Sequence, residues 1–207
     1  MSEGQRLIHL VDDDEAIRRS AGFMLKTSGF RVSTYDSGNA LLKEAASLDP
    51  GCILLDIRMP GMDGLEVQQA LKKRGVTLPV VIMTGHGDVT LAVQAMKAGA
   101  VDFIEKPFEK AVLLGAIDQA FERLARSTAA KERAKDAQVR LQALTPRERE
   151  VLDGLAQGLP NKTIAYDLGI SPRTVEIHRA NLMTKLEVRS LSEALRIAFA
   201  AQDSPSG

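Results

Sequence analysis

Five polar residues of the N-terminal half lie at the carboxyl ends of predicted strands, and their side chains suit phosphoryl chemistry. They are Asp12, Asp13, Asp56, Thr84 and Lys106. Asp56 follows the apolar run Cys52–Leu55 and precedes a turn rich in Pro and Gly, which predicts a strand buried on both faces. A lone Asp in such a place is most often a turn cap. Together with two further carboxylates, Asp56 becomes a candidate nucleophile that would carry an acyl phosphate.

The three carboxylates predict a site for a divalent cation. Carboxylates within about 4 Å of one another repel by roughly 4 kcal/mol per pair at an effective dielectric near 20. Such a cluster either raises its pKa values or binds a hard cation. Few protein oxygens, with room for water and phosphate, favour Mg²⁺ at Asp12, Asp13 and Asp56. Lys106 adds a point charge for a phosphoryl oxygen, and Thr84 adds a hydroxyl donor.

An open parallel sheet would bring these residues together. Apolar or alternating segments predict five strands separated by helices, of which two cover 38–48 and 88–98. The strands are expected at 7–11, 31–35, 52–56, 79–84 and 101–106. The second and fifth carry polar residues, whereas the others are nearly all apolar. This pattern favours a flavodoxin-like α/β fold with strand order 2-1-3-4-5, whose carboxyl ends share one crevice.

Length and composition suit either one large domain or two small ones. The chain has 207 residues, no Trp and a single cysteine, Cys52. A lone cysteine, no apolar signal-peptide core and no apolar run of about 18 residues favour a reducing cytoplasm and no membrane. Residues 1–124 carry a net charge of −3 and residues 125–207 carry +3. This asymmetry fits metal chemistry in the first half and nucleic acid in the second.

A helical connection is predicted between the two halves. Neither Gly nor Pro occurs from Ala116 to Thr145, and two apolar stripes there do not share one heptad register. We expect a long helix that leaves the first domain, either continuous or with a break near Ser127-Thr128; a flexible charged linker is the alternative. The expected boundaries are 1–125 for the first domain, 126–143 for the linker, 144–202 for the second domain and 203–207 for a frayed tail.

The second domain has the pattern of an all-α helix-turn-helix. Thr145-Pro146 is an N-terminal capping signal, and Asn161 is the expected cap of a short helix. Ser171-Pro172 starts the recognition helix, and a last helix covers 191–200. Residues on and beside the recognition helix are predicted to bind DNA, although a solvated face is the alternative. They are Lys162, Arg173, Thr174, Glu176, Ile177, Arg179, Ala180, Asn181 and Lys185.

Four motifs resemble the receiver domain of bacterial response regulators. They are Asp12-Asp13, Asp56-x-x-Met59-Pro60-x-Met62-x-Gly64, Thr84-Gly85 and Lys106-Pro107. The resemblance implies that Asp56 accepts a phosphoryl group from a histidine of a sensor kinase. It implies Mg²⁺ held by Asp12, Asp13, Asp56 and the backbone carbonyl of Arg58, and a cis peptide before Pro107. Thr84 and Phe103 would be the switch pair that moves on phosphorylation.

The C-terminal motifs resemble the DNA-binding domain of LuxR/NarL-type regulators. They are Leu144–Leu152, Asn161-Lys-x-Ile-Ala165 and Ser171-x-x-Thr-Val175-x-x-His178. Within that family the sequence is most similar to activators of nitrogen-fixation and microaerobic genes, whose kinase is a haem-based oxygen sensor. The resemblance implies double-stranded promoter DNA and RNA polymerase as partners. We expect a homodimer after phosphorylation, paired through the helix face with Val93 and Lys97.

Two other functions fit parts of the pattern. One is a Mg²⁺-dependent phosphohydrolase with an aspartyl-phosphate intermediate; such enzymes usually carry a second Asp two residues after the nucleophile, where this chain has Arg58. The other is a phospho-switch whose C-terminal half binds protein. The basic residues around the recognition helix favour DNA, so we expect a transcription regulator rather than an enzyme. A similar regulator of a different pathway also stays open.

Overall fold

The computed structural model describes residues 6–85 and 89–202, and it divides into two compact units, Met1–Arg126 and Ser127–Gly207. The elements in chain order are β1 (Leu7–Val11), α1 (Glu15–Thr27), β2 (Arg31–Tyr35), α2 (Gly38–Lys43), β3 (Cys52–Asp56), α3 (Gly64–Lys73), β4 (Val80–Thr84), α4 (Val89–Lys97), β5 (Asp102–Glu105), α5 (Lys110–Leu141), α6 (Pro146–Ala156), α7 (Asn161–Leu168), α8 (Pro172–Lys185) and α9 (Leu191–Gln202).

The N-terminal unit is a parallel sheet with helices on both faces. The strand order β2-β1-β3-β4-β5 confirms the predicted topology. β1, β3 and β4 are buried throughout, whereas the edge strands β2 and β5 expose residues. Side chains of β3 point alternately to the two faces of the sheet. Ile53 and Leu55 pack with α2 and α3 on one face, and Leu54 packs with α1 and α5 on the other. The sheet therefore fixes the carboxyl ends of β1, β3 and β4 at one edge.

One helix is shorter than predicted, and another is continuous. α2 ends at Lys43 instead of residue 48, because the backbone N–H groups of Glu44, Ala45 and Ser47 bond to carbonyls three residues back instead of four. α5 runs from Lys110 to Leu141, so the predicted long helix is continuous through Ser127-Thr128. None of the helices that the structure describes, α5 included, combines the length and apolarity needed to cross a membrane.

The C-terminal unit packs its helices around one apolar cluster. Val175 and Leu182 of α8 are fully buried, as predicted, and α8 packs against α6 and α7. Thr145 caps α6 through its side-chain oxygen, which accepts a backbone N–H. The prediction that Asn161 caps α7 is wrong. Pro160 is the N-cap residue and makes no side-chain hydrogen bond to the helix. Asn161 is the first helical residue, and its side-chain oxygen accepts a hydrogen bond from Arg179.

Candidate functional site

The carboxyl ends of β1 and β3 bring three carboxylates together. Asp12 follows β1 and Asp56 ends β3; both are buried, while Asp13 is exposed. One oxygen from each carboxylate lies within 4.8 Å of the others. Carboxylate oxygens at that spacing suit a hard divalent cation such as Mg²⁺, with positions left for water and phosphoryl oxygens. Arg58 lies on the exposed turn after β3, where its carbonyl remains a predicted ligand.

The ammonium of Lys106 bridges two of these carboxylates. Its Nζ lies 2.6 Å from Asp12 Oδ2 and 2.9 Å from Asp56 Oδ1. Burial raises the pKa of Asp56, Lys106 lowers it, and the charges of Asp12 and Asp13 raise it again, so the net shift is upward. Burial lowers the pKa of Lys106, but the two carboxylates outweigh burial and raise it. One ammonium thus faces three carboxylates, and a divalent cation would neutralise the remaining negative charge.

Arg18 holds the loop that presents Asp12 and Asp13, a contact that the sequence did not predict. Its Nη1 donates to the backbone oxygens of Asp12 (2.8 Å) and Asp13 (2.9 Å). Asp14 fixes the same loop, because its side chain accepts the N–H of Ala16 at the start of α1. The only signal for this role is spacing. Arg18 lies one helical turn after Asp14, and side chains on a helix tilt toward its N-terminus.

Thr84 and Phe103, the predicted switch pair, lie on neighbouring strands. The Thr84 side chain is buried, and its hydroxyl donates to the Gly85 carbonyl at 3.1 Å. The side chain of Phe103, whose residue pairs with Ile82 in the sheet register, is 42% exposed. The hydroxyl is therefore held by backbone and the ring faces solvent. The peptide between Lys106 and Pro107 is cis, as the resemblance implied.

The face of α4 that was predicted to form a dimer interface is accessible. Val93 is 45% exposed, and Lys97 is exposed one turn further along. Met96, on the same helix, is also partly exposed, while Ala92 and Ala95 are buried against the sheet. An apolar strip flanked by a cation is thus open on α4.

The exposed face of α8 carries most of the predicted DNA contacts. The exposed residues share one stripe and are Arg173, Glu176, Ile177, Ala180 and Asn181. Thr174 is half-buried, and its hydroxyl is hydrogen-bonded to Ser171 (2.8 Å) at the start of the helix. Lys162 is exposed in the first turn of α7. In a helix-turn-helix, the stripe on the second helix faces the major groove, and the first helix crosses the DNA backbone.

Two predicted DNA contacts are engaged inside the C-terminal unit. Arg179 Nη1 donates to Asn161 Oδ1 at 3.0 Å, which joins α8 to α7. Lys185 Nζ lies 2.7 Å from Glu148 Oε2, and Glu148 is 3% exposed. Burial raises the pKa of Glu148, but the hydrogen bonds from Lys185 and Thr145 outweigh burial and hold the pKa below its ordinary value. The sequence signalled neither partner, because both contacts join distant segments.

Both halves of the chain match known families. Residues 8–118 match the response regulator receiver domain, and residues 142–198 match the bacterial regulatory proteins of the luxR family. The cluster of Asp12, Asp13 and Asp56, called the acidic pocket below, lies within the receiver match, and the helix-turn-helix lies within the luxR-family match. The chain therefore belongs to the two-component response regulators with a LuxR-type DNA-binding domain, and it is a transcriptional regulator rather than a classical enzyme by that membership.

Within this family the chain is similar to FixJ over nearly its whole length. It is 49% identical to the transcriptional regulatory protein FixJ of Rhizobium meliloti strain 1021, over 96% of this chain and 98% of FixJ. Among solved structures, full-length FixJ from B. japonicum is 46% identical with a TM-score of 0.61, covering 95% of this chain and 97% of that one. The response regulator StyR is 40% identical with a TM-score of 0.75, covering 95% and 99%.

Proposed function

We propose that this chain accepts a phosphoryl group from a sensor histidine kinase and then activates transcription as a homodimer on promoter DNA in the cytoplasm. The proposal is carried by one observation. A buried, Lys106-bridged Asp56 stands beside two further carboxylates in a chain whose other unit presents an exposed recognition helix. Neither feature alone defines a regulator, because acidic pockets also occur in phosphohydrolases and helical faces also bind proteins.

Asp56 is the proposed phosphoacceptor. Its carboxylate attacks the phosphorus of a phosphohistidine, the P–N bond breaks, and the electron pair stays on the imidazole nitrogen, which gains a proton from water. Mg²⁺, held by Asp12, Asp13, Asp56 and the Arg58 carbonyl, would supply charge neutralisation for the phosphoryl oxygens. Lys106 is already 2.9 Å from the acceptor and can hold one of those oxygens. Water later hydrolyses the acyl phosphate.

The phosphoryl group changes the partners of the switch residues. A phosphoryl oxygen at Asp56 offers Thr84 a charged acceptor, which is stronger than the Gly85 carbonyl that the hydroxyl bonds in this structure. Movement of Thr84 vacates space beneath β5, into which the exposed Phe103 ring turns. The α4 face with Val93 and Lys97 then pairs with a second receiver.

The gene targets follow from similarity. The identity of 49% to FixJ supports control of nitrogen-fixation or microaerobic genes, a haem-based oxygen-sensing kinase of the FixL kind and RNA polymerase as partners. A FixJ-type regulator of a different pathway is the second candidate, because StyR is also 40% identical over 95% of the chain. Phosphotransfer from a purified haem kinase separates the two, since a regulator of another pathway would take phosphate from it slowly.

Replacing the acceptor tests the phosphorylation site. Asp56→Asn keeps the shape of the side chain and removes the nucleophile, so incubation with acetyl phosphate and Mg²⁺ should add no phosphate. Intact-mass spectrometry gives the readout. Asp14→Asn is the matched control, because Asn also caps a helix and Asp14 lies outside the carboxylate cluster. One phosphate on the Asp56→Asn variant would contradict the assignment, as would none on the parent and the control.

A further inference from the structure

We propose that α8 recognises pyrimidines: Ile177 contacts the 5-methyl group of a thymine, and Glu176 accepts a hydrogen bond from the amino group of a cytosine in the same half-site. The inference rests on the proposed DNA-binding function and adds the base chemistry that the recognition helix selects. The observation behind the inference is that some side chains of α8 are exposed, whereas others are hydrogen-bonded within the C-terminal unit.

Two basic side chains of α8 would have to give up contacts within the C-terminal unit before they could bind guanine. Guanine is most often recognised by Arg or Lys, which donate to its two major-groove acceptors. Arg179 would have to leave Asn161, to which it donates at 3.0 Å. Lys185 would have to leave Glu148, a carboxylate that is 3% exposed and would then be buried without its cation. Arg173 is exposed in the first turn of α8 on the same stripe, and the proposal assigns its guanidinium to a phosphate oxygen.

The middle of the exposed stripe is instead apolar and acidic. Ile177 is 53% exposed, and the small, exposed Ala180 lies close to it on the stripe, which allows close approach to base edges. In the major groove, the thymine methyl group is the apolar feature that matches such a surface. Glu176 is exposed beside Ile177 and offers acceptors only.

The Glu176 carboxylate discriminates among bases by repulsion as well as attraction. Guanine presents two acceptors in the major groove and would repel it, and thymine presents one. Adenine offers an amino group, but its N7 acceptor lies next to that group and faces the second carboxylate oxygen. Cytosine itself presents only its amino donor in the major groove, because the neighbouring O6 acceptor belongs to the paired guanine, and Glu accepts from this amino group. The pair Glu176 and Ile177 therefore selects a cytosine and a thymine.

Base analogues test the proposal atom by atom. Full-length protein treated with acetyl phosphate and Mg²⁺ would first select bound duplexes from a random pool. Each thymine of the selected half-site is then replaced by deoxyuridine, which lacks only the methyl group. At one position the parent should lose about fourfold in affinity, the value of one buried methyl group. Ile177→Ala should bind thymine and deoxyuridine at that position equally.

Glu176→Ala is the matched variant on the adjacent residue. It should keep the fourfold effect of deoxyuridine and lose about tenfold of the preference for cytosine at its own position. Deoxyuridine tolerated by the parent at every position, or a guanine whose selection disappears in Arg179→Ala or Lys185→Met, would overturn the proposal while leaving DNA binding intact. A pool that yields no preferred sequence, with Asp56 phosphorylated, would instead contradict the DNA-binding function itself.

Discussion

At the scale of single residues, the acidic pocket depends on a hydrogen-bond frame as well as on its carboxylates. Arg18 donates to the backbone oxygens of Asp12 and Asp13, so it fixes the orientation of the loop without neutralising the carboxylates. Groups that orient metal ligands from behind commonly contribute 10- to 100-fold to metal affinity. Arg18 is therefore expected to support cation binding although it is not among the proposed ligands.

Replacing Arg18 should weaken cation binding. Arg18→Met keeps the apolar stem and removes the donors, so the loop loses its clamp and Mn²⁺, used as a stand-in for Mg²⁺, should bind about tenfold more weakly. Electron paramagnetic resonance of free Mn²⁺ measures this affinity directly. The control is Arg19→Met, because the Arg19 guanidinium is exposed and pairs with Glu15 at 2.6 Å. Equal Mn²⁺ affinity in the Arg18 variant and the parent would show that the loop keeps its orientation unaided.

The composition of the pocket could be predicted from the sequence, but the residues that support it could not. Asp12, Asp56 and Lys106 lie at the carboxyl ends of predicted strands, and the carboxyl ends of neighbouring parallel strands meet at one edge of the sheet. Arg18 acts through backbone oxygens, which have no residue-type signature. Lys185 and Glu148 lie 37 positions apart, and no periodicity links such distant residues. Predicted DNA contacts thus included a lysine that the fold uses internally.

At the scale of elements, the Lys185–Glu148 contact ties the end of the recognition helix α8 to the start of α6. Glu148 also accepts the backbone N–H of Thr145 at 2.8 Å, so one buried carboxylate serves both a helix cap and an inter-helix link. Loss of its charge would leave both contacts weaker. The orientation of α8 in its unit therefore depends on an ionised glutamate.

The stability of the C-terminal unit should consequently fall at acid pH. The folded-state pKa of Glu148 is lowered, so its stabilisation is present above the ordinary glutamate pKa of about 4.3 and is lost as pH falls through the lower folded value. We expect about 1–2 kcal/mol at pH 7, discounted because the Lys185 side chain is 38% exposed. Thermal unfolding of the full chain and of Glu148→Gln, from about pH 7 to about pH 3.5, measures this contribution. The difference in Tm between the parent and Glu148→Gln should narrow as the pH falls. A difference that stays constant would show that the variant is destabilised by a change in side-chain shape and not by the loss of charge.

Element types and their order were predictable, whereas several element ends were not. Strand order followed from which strands are nearly all apolar, because edge strands expose a side to water. The end of α2 at Lys43 is marked by backbone hydrogen bonds that run three residues back from Glu44 and Ala45, a change that the apolar spacing of 38–48 does not encode. Asn161 has a favourable side chain for an N-cap, but its oxygen accepts a hydrogen bond from Arg179 on another helix. At Asn161 a tertiary contact outweighed the local signal.

At the scale of the whole molecule, the proposed phosphorylation site and the DNA-binding helix lie on different units, so a two-state process must couple them. Pairing of two receivers is the candidate. It would place two DNA-binding units on two half-sites and raise their effective concentration without any new base contact. The coupling would then be a free energy of dimerisation, and the affinity of one recognition helix for one half-site would not change. Phosphorylation would then control dimerisation, and α8 would determine the base sequence that is bound.

A charge on the α4 face should break this coupling and leave phosphorylation intact. Val93 is 45% exposed, and Val93→Asp would bury a carboxylate in an apolar interface, where an unpaired charge is unfavourable. Acetyl phosphate should still modify Asp56, but the gain in affinity for a full two-site operator, which such linkage can raise by about 10²–10⁴-fold, should disappear. Val139→Asp, at an exposed valine of the other unit, is the matched control. Light scattering of the phosphorylated proteins decides the matter: a Val93→Asp variant that dimerises as the parent and the control do would exclude this face as the interface.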